Sequence, residues 1–162
     1  MKKEKRGQLY ILTAVLLCAA VFGIVAIMTH AQKPSDTKEL FENYKYEAAQ
    51  SLNYALYNSQ DIFSTFDDFN TEFESYAQAK GVSFNVFYAL SDGITIRAYN
   101  NLGEDITINS YSLPQSQTIN LSHTSPVIVN AFGYDYNLTM PVNDYRAIIK
   151  SERGEDITIF VK

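Results

Sequence analysis

A single cysteine and no tryptophan stand in a chain of 162 residues, with two histidines, four prolines and seven glycines. One cysteine cannot form an internal disulfide, and Cys18 lies inside an apolar run, where a thiol acts as a small hydrophobe. Without a second cysteine near the histidines there is no Cys/His cluster of the kind that holds zinc. The glycines are scattered, so no Gly-rich loop offers its amides to a phosphate. Basic residues are also short: 13 Lys and Arg against 18 Asp and Glu leave a net charge of −5. That balance excludes generic nucleic-acid binding through a basic field. What the chain has in quantity is rings. Its 12 Tyr and 10 Phe make it too apolar for an acidic disordered tail. The length suits one modest domain with an attachment segment and argues against a two-domain enzyme.

Charge is unevenly spread. Residues 1–8 carry Lys2, Lys3, Lys5 and Arg6 against Glu4 alone, while the remainder holds nine basic and seventeen acidic side chains. Directly after this basic leader, 9–29 reads LYILTAVLLCAAVFGIVAIMT, 21 residues without a charge. As a helix the run would be roughly 30 Å long, about the thickness of a bilayer's hydrocarbon core. That length tells against a core helix, and against the ~7–15 apolar residues of a cleaved signal peptide, although Thr29-His30-Ala31 loosely resembles a small-x-small cleavage site. The basic flank then places the N-terminus in the cytoplasm and Gln32 onward outside. The sequence thus predicts a single-pass protein of the cell membrane, with the lipid bilayer as a partner and an extracellular C-terminal domain.

The junction Lys5-Arg6-Gly7-Gln8-Leu9-Tyr10 resembles the class III signal peptide of archaeal type IV pilin-like proteins. The resemblance is confined to the N-terminal region. It implies a prepilin-type peptidase as a partner, with Arg6 and Gly7 as cleavage determinants and Gln8 as the new N-terminus. It also implies other pilin-like subunits as partners, the apolar helix staying on the mature subunit to pack in a filament core. The acidic residue that the family carries a few positions into the mature helix has no counterpart here. Read from the residues alone, Gly7 is an ordinary junction residue.

Past Pro34, Asp36 with Glu39 three positions later fits a capping box, Ser35 being the other candidate cap. Apolar residues then recur at Leu40, Phe41, Tyr44, Ala48, Leu52, Ala55, Ile62, Phe66, Phe69, Phe73 and Tyr76, with Ser59 filling one step. Steps of mostly three and four predict one helix face from Asp36 to Lys80, with a break near Ser64-Thr65 allowed. A coiled-coil seam is the competing reading, but rings at Phe66, Phe69 and Phe73 suit the flat face of a sheet better. On this reading the acids at 36, 39, 42, 47, 61, 67, 68, 72 and 74 face water. Gly81, after Lys80, ends the helix.

From Val82 the period changes to two. Val82, Phe84, Val86 and Tyr88 alternate with Ser83, Asn85 and Phe87, and Ile94, Ile96 and Ala98 with Thr95, Arg97 and Tyr99. Shorter apolar stretches follow at 106–108, 127–129, 148–149 and 157–161, separated by turn signals such as Ser91-Asp92-Gly93, Leu113-Pro114 and Arg153-Gly154. About six to eight such strands indicate an antiparallel sandwich or a strongly curved sheet. The predicted fold class is α+β: an N-terminal transmembrane helix, then a long amphipathic helix packed on a small antiparallel β-sandwich-like domain. Its parts are a basic cytoplasmic leader (1–8), the transmembrane helix (9–29), a linker and amphipathic helix (30–81) and an extracellular β domain (82–162).

Signals of chemistry are few. Gly103-Glu104-Asp105-Ile106-Thr107-Ile108 recurs unchanged as Gly154-Glu155-Asp156-Ile157-Thr158-Ile159, with Ser91-Asp92-Gly93-Ile94-Thr95-Ile96 a looser version. Three acidic turns could offer oxygen ligands to Ca²⁺. The plainer reading is a glycine turn launching a strand whose β-branched residues pack one face. His30 lies at the edge of the apolar run, and His123 sits beside Ser122 in a polar stretch with no Ser/His/acid pattern around it. Asn120-Leu121-Ser122 and Asn137-Leu138-Thr139 have the form of glycosylation acceptors. Tyrosines beyond the needs of a small core suit subunit contact. No catalytic residue, metal ligand or cofactor is identified. The predicted function is a non-catalytic, membrane-anchored, pilin-like structural subunit of the cell surface. The alternative is a membrane-tethered extracellular binding or adhesion module.

Overall fold

The computed structural model describes residues 36–123 and 125–162. Two helices come first, α1 (Asp36–Tyr57) and α2 (Ile62–Ala79). The single apolar stripe read from the sequence is therefore carried by two helices, and the break falls before Ile62 rather than at Ser64-Thr65. Ser59, counted above as a step of the stripe, has φ 53 and turns the chain out of α1. Asp61 then caps α2: its carboxylate accepts the Phe63 N–H at 3.0 Å, satisfying one of the amides a helix start leaves free. At the other end Gly81, at φ +72, gives its N–H to the Gln78 carbonyl, and Val82 gives its own to Ala77. This is the paired closure for which a left-handed glycine is suited.

Nine strands follow among the described residues: β1 (Ser83–Ser91), β2 (Thr95–Asn100), β3 (Ile106–Ile108), β4 (Tyr111–Leu113), β5 (Gln117–Ser122), β6 (Val127–Ala131), β7 (Tyr134–Leu138), β8 (Asp144–Arg153) and β9 (Asp156–Val161). They form a five-stranded sheet, β5-β2-β1-β8-β9, and a four-stranded sheet, β4-β3-β6-β7, antiparallel at every pairing. The period of two in β1 is used on both faces. Phe84, Val86, Tyr88 and Leu90 join α1 and α2 in one core, while Phe87 and Ala89 join Ile96, Ile108, Val129 and Ile148 in a second core between the sheets.

Rings dominate the first core. Phe66 lies 5.0 Å from both Tyr88 and Tyr145, Tyr44 sits edge-on to Phe73 at 5.2 Å, and Phe41 stacks on Phe160 at 4.4 Å. These are the edge-to-face and offset arrangements that ring quadrupoles favour. Asn70 is buried among them and satisfied: its Oδ1 accepts the Tyr44 hydroxyl at 2.8 Å, and its amide donates to the Phe66 carbonyl at 2.7 Å.

One part of the expected fold class is corrected. Among the described residues no helix is long and apolar enough to cross a membrane; α1 and α2 are amphipathic, each burying one face on the sheet. The run 9–29 expected to span lies outside the described residues. No described element carries single-pass anchorage, a cell-membrane location with an outward domain, the lipid bilayer as a partner, or a membrane-anchored subunit or tethered module.

Candidate functional site

Where α2 crosses β1, β2 and β5 it leaves a cleft of about 220 Å³ lined by Asp67, Asn70, Thr71, Glu74, Tyr88, Tyr99 and Thr118. Helical spacing puts Asp67, Asn70, Thr71 and Glu74 on one face, and strand alternation turns Tyr88 and Tyr99, partners across β1 and β2, toward it. Asp67 and Glu74 were among the acids expected to face water. Both instead face the sheet and find donors there. The Tyr88 hydroxyl donates to Asp67 Oδ1, and Arg97 Nη1 donates to Asp67 Oδ2 at 3.1 Å while its guanidinium lies 4.8 Å from the Phe63 ring centre. Asn101 donates to Glu74 Oε1 at 2.8 Å.

Burial pushes the Glu74 carboxyl above its usual range, and the Asn101 amide draws it part of the way back. Burial also raises the Tyr88 phenol, which its bond to Asp67 raises further. A carboxyl whose folded value is raised contributes most to stability below its unfolded value, near 4.3, and that contribution is lost as pH rises through the folded value. Glu74→Gln keeps an oxygen to accept from Asn101 and removes the charge. The variant should melt above the parent at pH 7, and the gap should close by pH 4. An equal gap at both pH values would show that the Glu74 charge is not under strain.

His123 is not paired with Ser122. Its Nδ1 lies 2.7 Å from Ser91 Oγ, which also accepts the Gly93 N–H at 3.0 Å, and the His123 backbone N–H donates to the Ile94 carbonyl at 2.8 Å. Ser91 is buried at the end of β1, so this pair ties β5 to the β1–β2 turn and offers no nucleophile to solvent. Nothing in the spacing of the sequence joins residues 32 positions apart.

Two of the three acidic turns are committed to backbone. Asp92 Oδ1 accepts the N–H groups of Ile94 and Thr95, Asp105 accepts that of Gln115, and Glu104 accepts that of Phe132. Among the described residues no three His, Cys, Asp or Glu side chains converge as a metal site. Asn120 on β5 and Asn137 on β7 are exposed, with Asn120 Oδ1 3.4 Å from Arg97 Nε. Arg6, Gly7 and Gln8 lie outside the described residues.

The feature that sequence reasoning missed is the edge of the larger sheet. Lys162 N–H donates to the Ala147 carbonyl at 2.9 Å, which fixes the phase of the β8–β9 ladder. Phe160, Thr158 and Asp156 share that phase, so the N–H and C=O groups of Ile157, Ile159 and Val161 point away from β8, to the open edge. Their side chains lie on the face opposite Phe160 and are 61%, 39% and 46% exposed. The signal was present in the recurring hexapeptide. Its first copy gives Ile106 and Ile108, 2% and 0% exposed in β3 within the sandwich; its second gives Ile157 and Ile159, exposed and with no sheet facing them among the described residues. The sequence matches no family model, and no curated protein or solved structure is significantly similar to it.

Proposed function

We propose that this chain is a non-catalytic protein-interaction domain that docks through β9. The observation that carries this reading is the bare row of Ile157, Ile159 and Val161 beside outward-facing backbone groups. Sheet edges are usually blunted by charge, proline, a bulge or shortness. On β9 charge is confined to the two ends, Asp156 and the following Lys162: the strand runs through six residues, without proline, and the face carrying Ile157, Ile159 and Val161 is aliphatic. Such an edge takes a further strand by backbone hydrogen bonds, with alternate side chains supplying specificity. The absence of catalysis is supported by chemistry already described. The cleft carboxylates are held by Arg97, Tyr88 and Asn101, and the Ser91 hydroxyl is buried.

The test is a photoreactive benzophenone side chain placed at Ile159, and separately at Ser122 on the opposite edge, in the protein's native cells. Illumination should give a protein adduct from position 159 and none from 122. Equal yields, or no adduct from 159, would remove the reading. The mass of the N-terminal peptide from the same sample reads out the proposal made by the leader's resemblance. A start at Gln8 supports cleavage after Gly7, and a start at Met1 overturns it.

A further inference from the structure

We propose that the strand received by β9 is β9 of a second copy of this chain, paired antiparallel about a two-fold axis at Ile159. The inference rests on the docking reading above and names its partner.

Three observations select this occupant and register. The outward backbone groups belong to Ile157, Ile159 and Val161, so only registers that pair odd with odd residues satisfy them. Centring on Ile159 sets Ile157 against Val161 of the other copy and Ile159 against itself. Every bare aliphatic then meets another, and about six backbone hydrogen bonds form. The same register sets Asp156 opposite Lys162, acid against base at both ends of the ribbon. Lys162 Nζ also lies 3.0 Å from Asp144 Oδ1 and 3.3 Å from the Tyr145 carbonyl on β8, so pairing with the second carboxylate draws it from the inner strand toward the edge. Moving the axis to Thr158 keeps Ile157 against Ile159 but sets Val161 against Glu155 and Asp156 against Phe160, so Val161 loses its aliphatic partner and the charge match is lost.

The remaining edges are poorer partners. β5 exposes Gln117, Thr118, Asn120 and Ser122, β7 exposes Tyr134, Asp135 and Asn137, and β4 is three residues long. Self-pairing makes one continuous sheet of the two larger sheets. It also sets Ile157 and Ile159 beside aliphatic neighbours across the ribbon, whereas in the other copy of the hexapeptide the facing sheet covers Ile106 and Ile108. A six-residue ribbon buries far less than the about 1,200 Å² of a stable interface. The contact is therefore a dissociable one, best read by trapping.

The test uses the full chain with Cys18→Ser, so that an added thiol is the only one. In the proposed register the Cα atoms at position 159 are about 5.5 Å apart, within disulfide reach, whereas those at 157 lie about 14 Å apart. Under mild oxidation Ile159→Cys should form a disulfide-linked homodimer at least about tenfold faster than Ile157→Cys or Ser122→Cys. Adding Asp156→Lys to Ile159→Cys should slow trapping severalfold. Equal rates at 157 and 159, or no response to Asp156→Lys, would overturn the register and the pairing. A photoadduct at 159 to a different protein, with no disulfide dimer, overturns self-pairing and leaves the docking reading standing. Loss of both signals removes both.

Discussion

Phe66→Ala should remove about 3–5 kcal/mol, a large part of the about 5–15 kcal/mol that holds a domain of this size. Phe66 is fully buried and sits where three elements meet, within 5.0 Å of Tyr88 on β1 and Tyr145 on β8 and 5.7 Å of Phe69 on its own helix. Removing the ring leaves a cavity bounded by other rings, which are too rigid to collapse into it. The cost therefore includes lost dispersion contacts as well as lost transfer free energy. Urea unfolding followed by circular dichroism checks it, with a lower midpoint at an unchanged slope. Phe69→Ala, at a half-buried position, should cost less than half as much. A Phe66→Ala loss below about 1 kcal/mol would mean that the helix layer contributes little to stability.

Asn100→Asp should be comparably damaging at neutral pH and milder in acid. Asn100 ends β2, is fully buried, and holds the chain where it crosses between the sheets. Its amide donates to the carbonyls of Glu104 at 2.8 Å and Leu113 at 3.0 Å, and its Oδ1 accepts the Leu102 N–H at 3.1 Å. The substitution keeps the shape, replaces both donated protons with a charge facing two carbonyl oxygens, and should cost about 3–5 kcal/mol at pH 7. Burial and those carbonyls raise the new carboxyl above its unfolded value near 3.9. The group is then tolerated best below about pH 4, and stability falls as pH rises through the folded value. Denaturant midpoints of parent and variant at pH 4 and pH 7 measure this. A deficit independent of pH would show that the site admits water.

Much of the fold was legible because periodicity reports burial. The stripe of Leu40, Phe41, Tyr44, Ala48, Leu52 and Ala55 lies in the helix core, as do Phe66 and Phe73, and the alternation of 82–88 and 96–98 reappears in β1 and β2, whereas Ile94 falls in the turn before β2 and is 79% exposed. The break between α1 and α2 was misplaced because a left-handed Ser59 and a capping Asp61 leave the stripe almost in phase. Strands β4, β5 and β7 were not read from pattern. Each is a sheet edge with at most one buried side chain, held by its ladder, so no alternation marks it. The cleft was hidden for another reason. Asp67 meets Arg97 and His123 meets Ser91 across 30 and 32 residues, distances at which local spacing carries no information. Asn70, polar within an apolar stripe, was the one local sign that a hydrogen-bonding partner waited in the core.

Strand β1 has a consequence for how the molecule comes apart. Phe84, Val86, Tyr88 and Leu90 belong to the helix core and Phe87 and Ala89 to the inter-sheet core, so the same stretch of backbone from Val86 to Leu90 organises both. Releasing either core frees the strand that the other is built on. The two hydrophobic layers are thus one cooperative unit, and the helix pair is no detachable appendage to the sandwich but a condition of its folding.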